Sequence, residues 1–493
     1  MYSLILTVIK LRKTKVTEKN QDSLKKKSIT AVIWSGADIF MRQGFQFVVA
    51  VILARLLSPE EFGTIALLYL FTGIAYIFVD SGFSSALIQC KETTRADEST
   101  VFWFNLMMGA VMTLLLWFSA PLIAGFYKLP VLIDLTRVLA LTIVINALGS
   151  VHRAMLTKSL NFKSIMKVGF GATLISGALA IYLAKNGYGI WALAVQLLVS
   201  SFLSTFLLWG VSKWRPTWVF SMKSVRKLFG FGGYLMAAAL LDTLYSRAYT
   251  VLIGKFYGVS QLGFYDRANN TQQMPANILS GIIARVAFPI FSAANHDDEK
   301  LRKGMQYAVR GVMLINVPIM LGLMVTADNL IMILFGDKWL PVIPLLQVLC
   351  MAGVFFPLHV LNLNVLKAQG HSDLFFKLEI IKKIVGTIFI IVGIFYFGVI
   401  GLAWSQVAFG LVGFFINAFY TGRFLNYGSL KQAKDIFPVI AASTIMAYAV
   451  SISTEYLEGL VWVVLLEQVV VGMSVFALIC VVFQIRAYKD CMG

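Results

Sequence analysis

The sequence predicts an all-α polytopic membrane protein with about fourteen transmembrane helices. The first reason is composition: 59% of the 493 residues are hydrophobic and only 13% are charged, which is more apolar surface than a soluble chain of this size buries. The second is that apolar runs of about 20 residues, enough for a helix to cross the hydrocarbon core, recur along the whole chain. The third is that positive charge alternates between the connections that join these runs.

The apolar runs define the spans one after another, beginning after the basic cluster Lys25, Lys26 and Lys27. The predicted spans are 31–57, 62–82, 101–125, 132–153, 165–184, 188–211, 229–254, 274–294, 305–329, 341–366, 373–396, 399–422, 435–455 and 459–485. Every connection between them is short, and none could house a catalytic or receptor domain. We therefore expect the function to lie within the membrane.

The distribution of lysine and arginine sets the predicted topology. Of the 42 lysines and arginines, 31 fall on one side of the predicted spans and 6 on the other, and the rest lie inside spans. The positive-inside rule places the richer side in the cytoplasm, so both termini are predicted to be cytoplasmic. The net charge of +18 is thus a topology signal, and we expect no nucleic-acid partner.

The spans group into two halves of six. The predicted organisation is a cytoplasmic tail (1–28), an N-lobe (29–211), a cytoplasmic amphipathic linker (212–230), a C-lobe (231–425), and two extra helices with the C-terminus (426–493). The linker, SKWRPTWVFSMKSVRKLFG, mixes tryptophan with basic residues, a composition that suits a helix lying in the interface plane.

A weak internal repeat supports this division. ARLLSPEEFG (54–63) aligns with GKFYGVSQLG (254–263), and GIWALA (189–194) aligns with GVIGLA (398–403). Because six spans is an even number, the two halves have the same orientation in the membrane. The repeat indicates two pseudo-symmetric lobes, the architecture of an alternating-access transporter.

Span 1 carries two charges where apolar residues are expected. A charge at the centre of a membrane helix costs about 2.5 to 3.5 kcal/mol. Ser35, Asp38, Arg42 and Gln46 are spaced by 3, 4 and 4 residues, which places them on one helical face. We expect this face to line a wet cavity or to contact another helix. A self-neutralising ion pair between Asp38 and Arg42 is the structural alternative.

Polar side chains also occur in spans 2, 7, 8 and 9. The residues of interest are Tyr76 and Asp80 in span 2, Asp242, Arg247 and Tyr249 in span 7, and Asn277 and Arg285 in span 8. Arginine suits phosphate because its planar guanidinium makes paired hydrogen bonds and stays charged. Arginines in both lobes therefore predict a cavity for an anionic headgroup, unless each finds a partner on another helix. Arg310, near the inner end of span 9, is expected to extend to the interface.

Enzyme and cofactor motifs are missing from the sequence. No glycine-rich loop ends in Gly-Lys-Ser or Gly-Lys-Thr, so ATP is not the evident energy source. The four cysteines are scattered, with no pair at metal or redox spacing. We expect a transporter without a metal or cofactor, and not an enzyme.

Four segments resemble a known family. They are LARLLSPEEFG (53–63), DSGFSSALIQ (80–89), LGFYDRANN (262–270) and VLKAQGHSDLFFKLEIIKK (365–383). With these segments the chain is similar to the polysaccharide transporter family. Its members are the Wzx-like flippases of O-antigen, capsule and exopolysaccharide in the multidrug/oligosaccharidyl-lipid/polysaccharide superfamily.

The resemblance implies two six-helix lobes that face each other in a V around a cavity open alternately to each side. It implies that an oligosaccharide repeat unit on undecaprenyl diphosphate moves from the inner to the outer leaflet of the bacterial cytoplasmic (inner) membrane. The expected partners are this substrate, the lipid bilayer, a polysaccharide polymerase and a chain-length regulator. A proton or sodium ion is the expected coupling ion.

The resemblance also suggests roles for the intramembrane residues. Arg42, Arg247 and Arg285 match by position the arginines with which related flippases bind the diphosphate. Asp38, Asp80 and Asp242 are expected to orient these arginines or bind the coupling ion. Gln46, Tyr76, Tyr249 and Asn277 are expected to contact sugar. The carboxylates leave a cation-coupled multidrug exporter as the alternative, and a membrane polymerase is disfavoured by the tiny outer loops.

Overall fold

The computed structural model describes residues 43–90, 93–293, 297–369, 372–456 and 459–492. All regular elements in these ranges are helices. They are α1 (Gln43–Leu56), α2 (Pro59–Asp80), α3 (Phe83–Gln89), α4 (Arg95–Tyr127), α5 (Leu132–Lys158), α6 (Phe162–Lys185), α7 (Ile190–Val211), α8 (Met222–Phe256), α9 (Val259–Ala293), α10 (Asp298–Val325), α11 (Ala327–Leu334), a 3-10 turn (Asp337–Trp339), α12 (Val342–Ala368), α13 (Ser372–Leu425), α14 (Ser429–Tyr456), α15 (Val461–Val482) and α16 (Arg486–Met492).

The prediction of an all-α polytopic membrane protein is confirmed. Within the described ranges, ten helices are long and apolar enough to cross a membrane. One of them, α13, contains two predicted spans, 373–396 and 399–422, which meet where Gly398 takes a φ of 65° and breaks the helix. The ten do not include α8 and α9, which carry many of the polar residues singled out above, so the total of fourteen spans stays a prediction.

Contacts divide the described chain into two compact units, with the boundary between residues 263 and 264. In the N-terminal unit, α4 packs along α5, α5 and α6 pack on α7, and α8 packs on α2, α3 and α4. A cluster around Phe83, Phe102 and Leu228 joins α3, α4 and α8. The lobe boundary at 230/231, which follows from the repeat, stays a prediction, as does the V arrangement.

The linker between α7 and α8 differs from the predicted interfacial helix. Residues 212–221 have no helical structure, and the helix begins only at Met222 and continues into the seventh span. Pro216 contributes to this, because it lacks an N–H donor and disfavours helical geometry at the residue before it. The segment is held by side chains instead, and the indole Nε1 of Trp214 donates a 2.7 Å hydrogen bond to Glu98. The prediction of a helix was therefore wrong for these ten residues.

Ser58 and Glu61 of the segment SPEE cap the N-terminus of α2. The Ser58 hydroxyl accepts a hydrogen bond from the Glu61 N–H at 3.3 Å, and the Glu61 carboxylate accepts one from the Ser58 N–H at 2.6 Å. Pro59 occupies the first turn, where its missing N–H costs nothing. This reciprocal cap explains the residue choice in the first of the four family-like segments.

Gly63 and Gly263 mark a close approach between the starts of α2 and α9. A Cβ atom on Gly63 would lie 1.8 Å from the carbonyl oxygen of Val259, and one on Gly263 would lie 1.9 Å from that of Pro59. The contact is reciprocal, because positions 59 and 63 align with 259 and 263 in the repeat. Only glycine fits at either position while the backbones touch.

In the C-terminal unit α12 packs along α13, and α10 packs on α12, α14 and α16. Its core contains Met305, Met313, Leu361 and Ile436, all buried. The two helices that follow the second predicted lobe are therefore anchored to this unit, since α14 packs on α10 and α15 packs on α14.

Arg310 on α10 is held by protein carboxylates. Its guanidinium nitrogens lie 2.8 Å from Asp435 and 3.1 Å from Asp490, and its side chain is only 14% exposed. The hydroxyl of Tyr427 donates a further hydrogen bond to Asp435 at 2.9 Å. The prediction that Arg310 extends to the interface was wrong, because α14 and α16 supply carboxylates that the sequence of α10 alone does not reveal.

Candidate functional site

The candidate site lies in the N-terminal unit and is built on α5 and α7. On α5, Asn146, Ser150, Arg153 and Thr157 are spaced by 4, 3 and 4 residues, so they share one helical face. The helix α7 packs on α5 and contributes a second polar group. This group consists of Ser200, Ser201, Ser204 and Thr205.

Two of the cavities in the described part of this unit share lining residues, and the larger of these two has a volume of about 460 Å³. Its walls come from α2, α3, α5 and α7, and they include Tyr76, Asp80, Ser150 and Arg153. The volume falls in the usual range of sites for small ligands. Hydroxyl, amide and charged groups therefore meet in the wall of this cavity.

The smaller cavity has a volume of about 180 Å³. Gln46 of α1, Thr173 of α6 and Ser200 of α7 line it. Asn146 and Arg153 line both cavities. The two spaces therefore have two polar side chains of α5 in common.

A chain of hydrogen bonds holds the wall of the larger cavity. The hydroxyl of Thr142 donates to the carbonyl of Leu139 at 2.6 Å, so its oxygen accepts the hydrogen bond from Tyr76 at 2.7 Å. The Asn146 amide nitrogen lies 2.8 Å from the Tyr76 hydroxyl and 3.0 Å from that of Ser201. These bonds join α2, α5 and α7 and fix the position of the Tyr76 ring.

Both charged groups of the cavity walls have hydroxyl partners. Arg153 donates from Nη2 to Ser204 at 3.1 Å. The carboxylate of Asp80 accepts a hydrogen bond from Ser84 across the turn between α2 and α3. Because Ser81 and Gly82 take positive φ there, the chain reverses tightly and brings Ser84 back to Asp80. The arrangement presents a cation, an anion and many hydroxyl groups to the same space.

Residues 52–344 match the family described as polysaccharide biosynthesis protein. The chain belongs to this family. It is 29% identical to the teichuronic acid biosynthesis protein TuaB of Bacillus subtilis over 440 residues, which cover 88% of this chain and 91% of TuaB. It is 30% identical to the lipopolysaccharide biosynthesis protein WzxC of Escherichia coli over 386 residues, which cover 77% and 78% of the two chains.

Among solved structures, the fold of this family member is similar to that of the lipid II flippase MurJ in an inward closed conformation. The TM-score is 0.76 at 16% identity, and the match covers 94% of this chain and all of the MurJ chain. At this identity the likeness concerns the fold alone. The family resemblance predicted from the four sequence segments is confirmed.

Three of the sequence-predicted site residues are brought to the cavities. Tyr76 and Asp80 line the larger cavity, and Gln46 lines the smaller one. They lie in α1 and α2, as the polar faces of the first two spans predicted. Their expected roles in binding sugar or a coupling ion stay predictions.

The three predicted residues of α8 are not among the lining residues of either cavity. Arg247 lies with its guanidinium carbon 5.6 Å from the centre of the Tyr69 ring, a cation–π distance. Asp242 is exposed and Tyr249 is buried. Their common location on α8 is thus established, and their contact with substrate stays a prediction.

Of the four remaining predicted residues, one lies in the C-terminal unit, and the side chains of the other three lie outside the described part of the structure. Asn277 is an exposed residue of α9 in the C-terminal unit. Asp38 and Arg42 precede the first described residue, and the side chain of Arg285 on α9 is outside the described part. The expected roles of these four residues stay predictions.

Sequence reasoning missed Asn146, Arg153 and Ser201 as site residues. The signal was present, because Asn146, Ser150 and Arg153 are spaced by 4 and 3 residues, which places them on one helical face, as in span 1. In sequence, Arg153 is one of the 31 basic residues on the predicted cytoplasmic side. A basic residue at the end of a span either sets topology or lines a cavity, and the sequence does not distinguish these two roles. Only the packing of α7 against α5 shows that Arg153 lines a cavity.

Proposed function

We propose that this protein is a flippase for lipid-linked oligosaccharides. It moves a repeat unit on undecaprenyl diphosphate from the inner to the outer leaflet of the bacterial cytoplasmic membrane by alternating access, with both termini in the cytoplasm. The observation that carries the proposal is the pair of cavities inside a membrane-spanning helical unit of a polysaccharide biosynthesis protein. The smaller cavity is mainly polar, and the larger one is largely apolar but bordered by hydroxyl and amide groups of Tyr76, Ser150 and Asn146.

The lining chemistry fits a sugar headgroup. Hydroxyl and amide groups both donate and accept hydrogen bonds, and they replace the water that a sugar loses when it enters the protein. Leaving those bonds unmade would cost about 1 to 3 kcal/mol for each buried polar group. The linked side chains of Tyr76, Asn146 and Ser201 supply part of this hydrogen-bonding surface.

For the diphosphate we propose Arg42, Arg247 and Arg285, whose guanidinium groups would make charge-assisted hydrogen bonds to phosphate oxygens. Asp38, Asp80 or Asp242 would orient these arginines or bind a coupling proton or sodium ion. Tyr249 and Asn277 would contact sugar together with Gln46 and Tyr76. A polymerase and a chain-length regulator would take over the product at the outer surface.

The membrane potential supplies a driving force for this direction of transport. A diphosphate with two negative charges leaves a negative interior, and it gains up to about 4.6 kcal/mol per 100 mV if both charges cross the full potential. A coupling ion would add to this gain. Clamping the potential and then collapsing the proton or sodium gradient separates the two contributions.

The function is tested with purified protein in liposomes that contain undecaprenyl diphosphate linked to a fluorescently labelled disaccharide. Dithionite added outside destroys the label in the outer leaflet, so transport appears as loss of the protected fraction. We expect protein-dependent loss, with no efflux of ethidium from the same liposomes. Ethidium efflux without lipid transport would instead identify a drug exporter.

We expect Arg42→Ala, Arg247→Ala and Arg285→Ala each to abolish lipid transport in this assay, because each removes a cation proposed to hold the diphosphate. Arg302→Ala, near the start of α10 and outside the predicted spans, is the matched control and should transport normally. Full transport by all three variants would contradict the diphosphate assignment and leave the flippase itself standing.

Asn146→Ala is expected to lower transport about tenfold, which corresponds to roughly 1.4 kcal/mol of lost interaction. Its free energy of unfolding should fall by only about 0.6 to 1.7 kcal/mol, the usual size of hydrogen bonds between membrane helices. The control Asn186→Ala removes an exposed amide that bonds only within its own turn, and it should leave transport unchanged. Equal transport by both variants would remove the Asn146 network from the site.

A further inference from the structure

We propose that the linker between α7 and α8 binds anionic phospholipids on the predicted cytoplasmic side of the membrane. Its apolar side chains enter the headgroup region of the bilayer, and its cations contact the lipid phosphates. The residues that form this linker surface are Lys213, Trp218, Phe220, Met222, Lys223 and Arg226. The inference does not depend on the proposed transport function.

The charge of the linker is entirely positive. Residues 212–229 contain five lysines and arginines and no aspartate or glutamate. Lys213, Lys223 and Arg226 are exposed, and none of the three forms an ion pair with a carboxylate of the described residues. Basic residues beside a membrane are attracted to its anionic lipids. Three cations of the linker are therefore available to such lipids.

Large apolar side chains of the same segment are also exposed. Trp218 is 89% exposed, and Phe220 and Met222 are at least half exposed. Exposed apolar groups that lie close together mark contact with lipid or with another protein. The linker begins directly after the predicted span 188–211 and ends at the predicted span 229–254, so it lies beside the lipid headgroups, where tryptophan is enriched. This position favours lipid over a protein partner.

Contacts with α4 hold the linker on both sides of Trp218. The carbonyl of Thr217 accepts a hydrogen bond from Trp103 Nε1 at 2.9 Å, and the Ser221 N–H donates to the Thr100 hydroxyl at 3.0 Å. The Trp218 ring stacks on the Trp103 ring, with their centres 4.5 Å apart. Because the segment is already ordered, lipid binding costs less conformational entropy than it would for a flexible loop.

The first turns of α8 continue the linker surface. Ser224 and Leu228 are spaced by four residues and are buried against the protein. Met222, Lys223 and Arg226 lie on the exposed side of the helix. An exposed side that carries both cations and apolar groups is typical of helices at a membrane interface. The linker therefore has interfacial chemistry although residues 212–221 are not helical.

The experiment uses the full-length protein in phosphatidylcholine liposomes. A minor lipid component, either phosphatidylglycerol or phosphatidylcholine, carries bromine near the headgroup end of its acyl chains and quenches nearby tryptophan. The emission of Trp218 is the difference between the wild type and Trp218→Phe. Both leaflets contain the same lipids, so the orientation of the protein in the liposome does not affect the result.

Two combined variants separate lipid binding from the general effect of cytoplasmic charge. Each removes three exposed cations from the predicted cytoplasmic side, as the positive-inside rule counts them. The linker variant combines Lys213→Gln, Lys223→Gln and Arg226→Gln. The control variant, in the C-terminal unit, combines Arg423→Gln, Lys434→Gln and Lys489→Gln.

We expect brominated phosphatidylglycerol to quench Trp218 at least about threefold more than brominated phosphatidylcholine, because the linker cations concentrate anionic lipid. The linker variant should lose this preference, and the control variant should keep it. Salt at about 1 M, which shortens the Debye length to about 3 Å, should lower the preference of the wild type.

Equal quenching of wild-type Trp218 by the two lipids overturns the inference, and so does an unchanged preference in the linker variant. Octaglutamate, added to the wild type in detergent, is the probe for an acidic protein partner. Binding of octaglutamate together with equal quenching by the two lipids would identify a protein-binding surface and overturn the lipid assignment.

Discussion

Gly63→Ala is expected to destabilise the protein by about 3 kcal/mol, at the upper end for overpacking of a folded core, and to abolish transport. The added Cβ would lie 1.8 Å from the Val259 carbonyl oxygen and 2.9 Å from the Gly263 nitrogen. Both are backbone atoms of α9, which cannot rotate away as a side chain would. The two helix starts must therefore separate, and the free energy of unfolding in dodecyl sulfate titrations measures the cost.

The matching contact at Gly263 provides a second test of the close approach between α2 and α9. Gly263→Ala should cost about as much, because its Cβ would lie 1.9 Å from the Pro59 carbonyl oxygen. The double variant should cost less than the sum, since one separation relieves both clashes. Gly125→Ala is the control, because a Cβ there meets nothing within 4 Å and alanine favours a helix by up to about 1 kcal/mol. Equal stability of Gly63→Ala and Gly125→Ala would refute the contact.

Arg310→Ala is expected to lower the free energy of unfolding by about 3 to 5 kcal/mol, because removal of one partner leaves buried charges uncompensated. Two carboxylates, those of Asp435 and Asp490, would lose the guanidinium that lies within 3.1 Å of each. The helices α14 and α16 should then detach more readily from α10. Proteolysis of the C-terminal helix, followed by mass spectrometry, reports that loss directly.

Two further variants test whether the burial of charge causes the loss of stability in Arg310→Ala. Lys303→Ala on the same helix removes an exposed pair with Glu299, and it should cost no more than about 0.5 kcal/mol. Combining Arg310→Met with Asp435→Asn and Asp490→Asn removes all three charges, and it should recover most of the stability lost in Arg310→Ala. If the triple variant is as unstable as Arg310→Ala, charge burial is not the cause.

The segments that resemble the family are largely explained by local structure. In LARLLSPEEFG, Ser58 and Glu61 cap α2 and Gly63 allows close packing. In DSGFSSALIQ, Asp80 bonds Ser84 across a turn in which Gly82 has a φ of 72°. These residues form caps and turns of the fold. They are recognisable in the sequence because caps and turns depend on residues that are neighbours along the chain. Caps and turns of this kind are set by the fold, so they identify the family without naming its substrate.

The candidate site was predictable only in part. Tyr76, Asp80 and Gln46 were found because a polar face within an apolar span is visible in sequence. Arg153 was missed because it lies at the end of a span, where a positive charge also serves topology. No periodicity shows that Ser201 and Ser204 of α7 meet Asn146 and Arg153 of α5.

By itself, the sequence determined the helical membrane class and the family. These properties depend on hydropathy over about 20 residues and on local caps, both of which are written along the chain. Only the tertiary structure decided that residues 212–221 are not helical, that Arg310 is paired, and that Arg153 lines two cavities. The pairing of Arg310 and the position of Arg153 depend on contacts between helices distant in sequence, because a side chain's partner is set by packing and not by its neighbours in the chain.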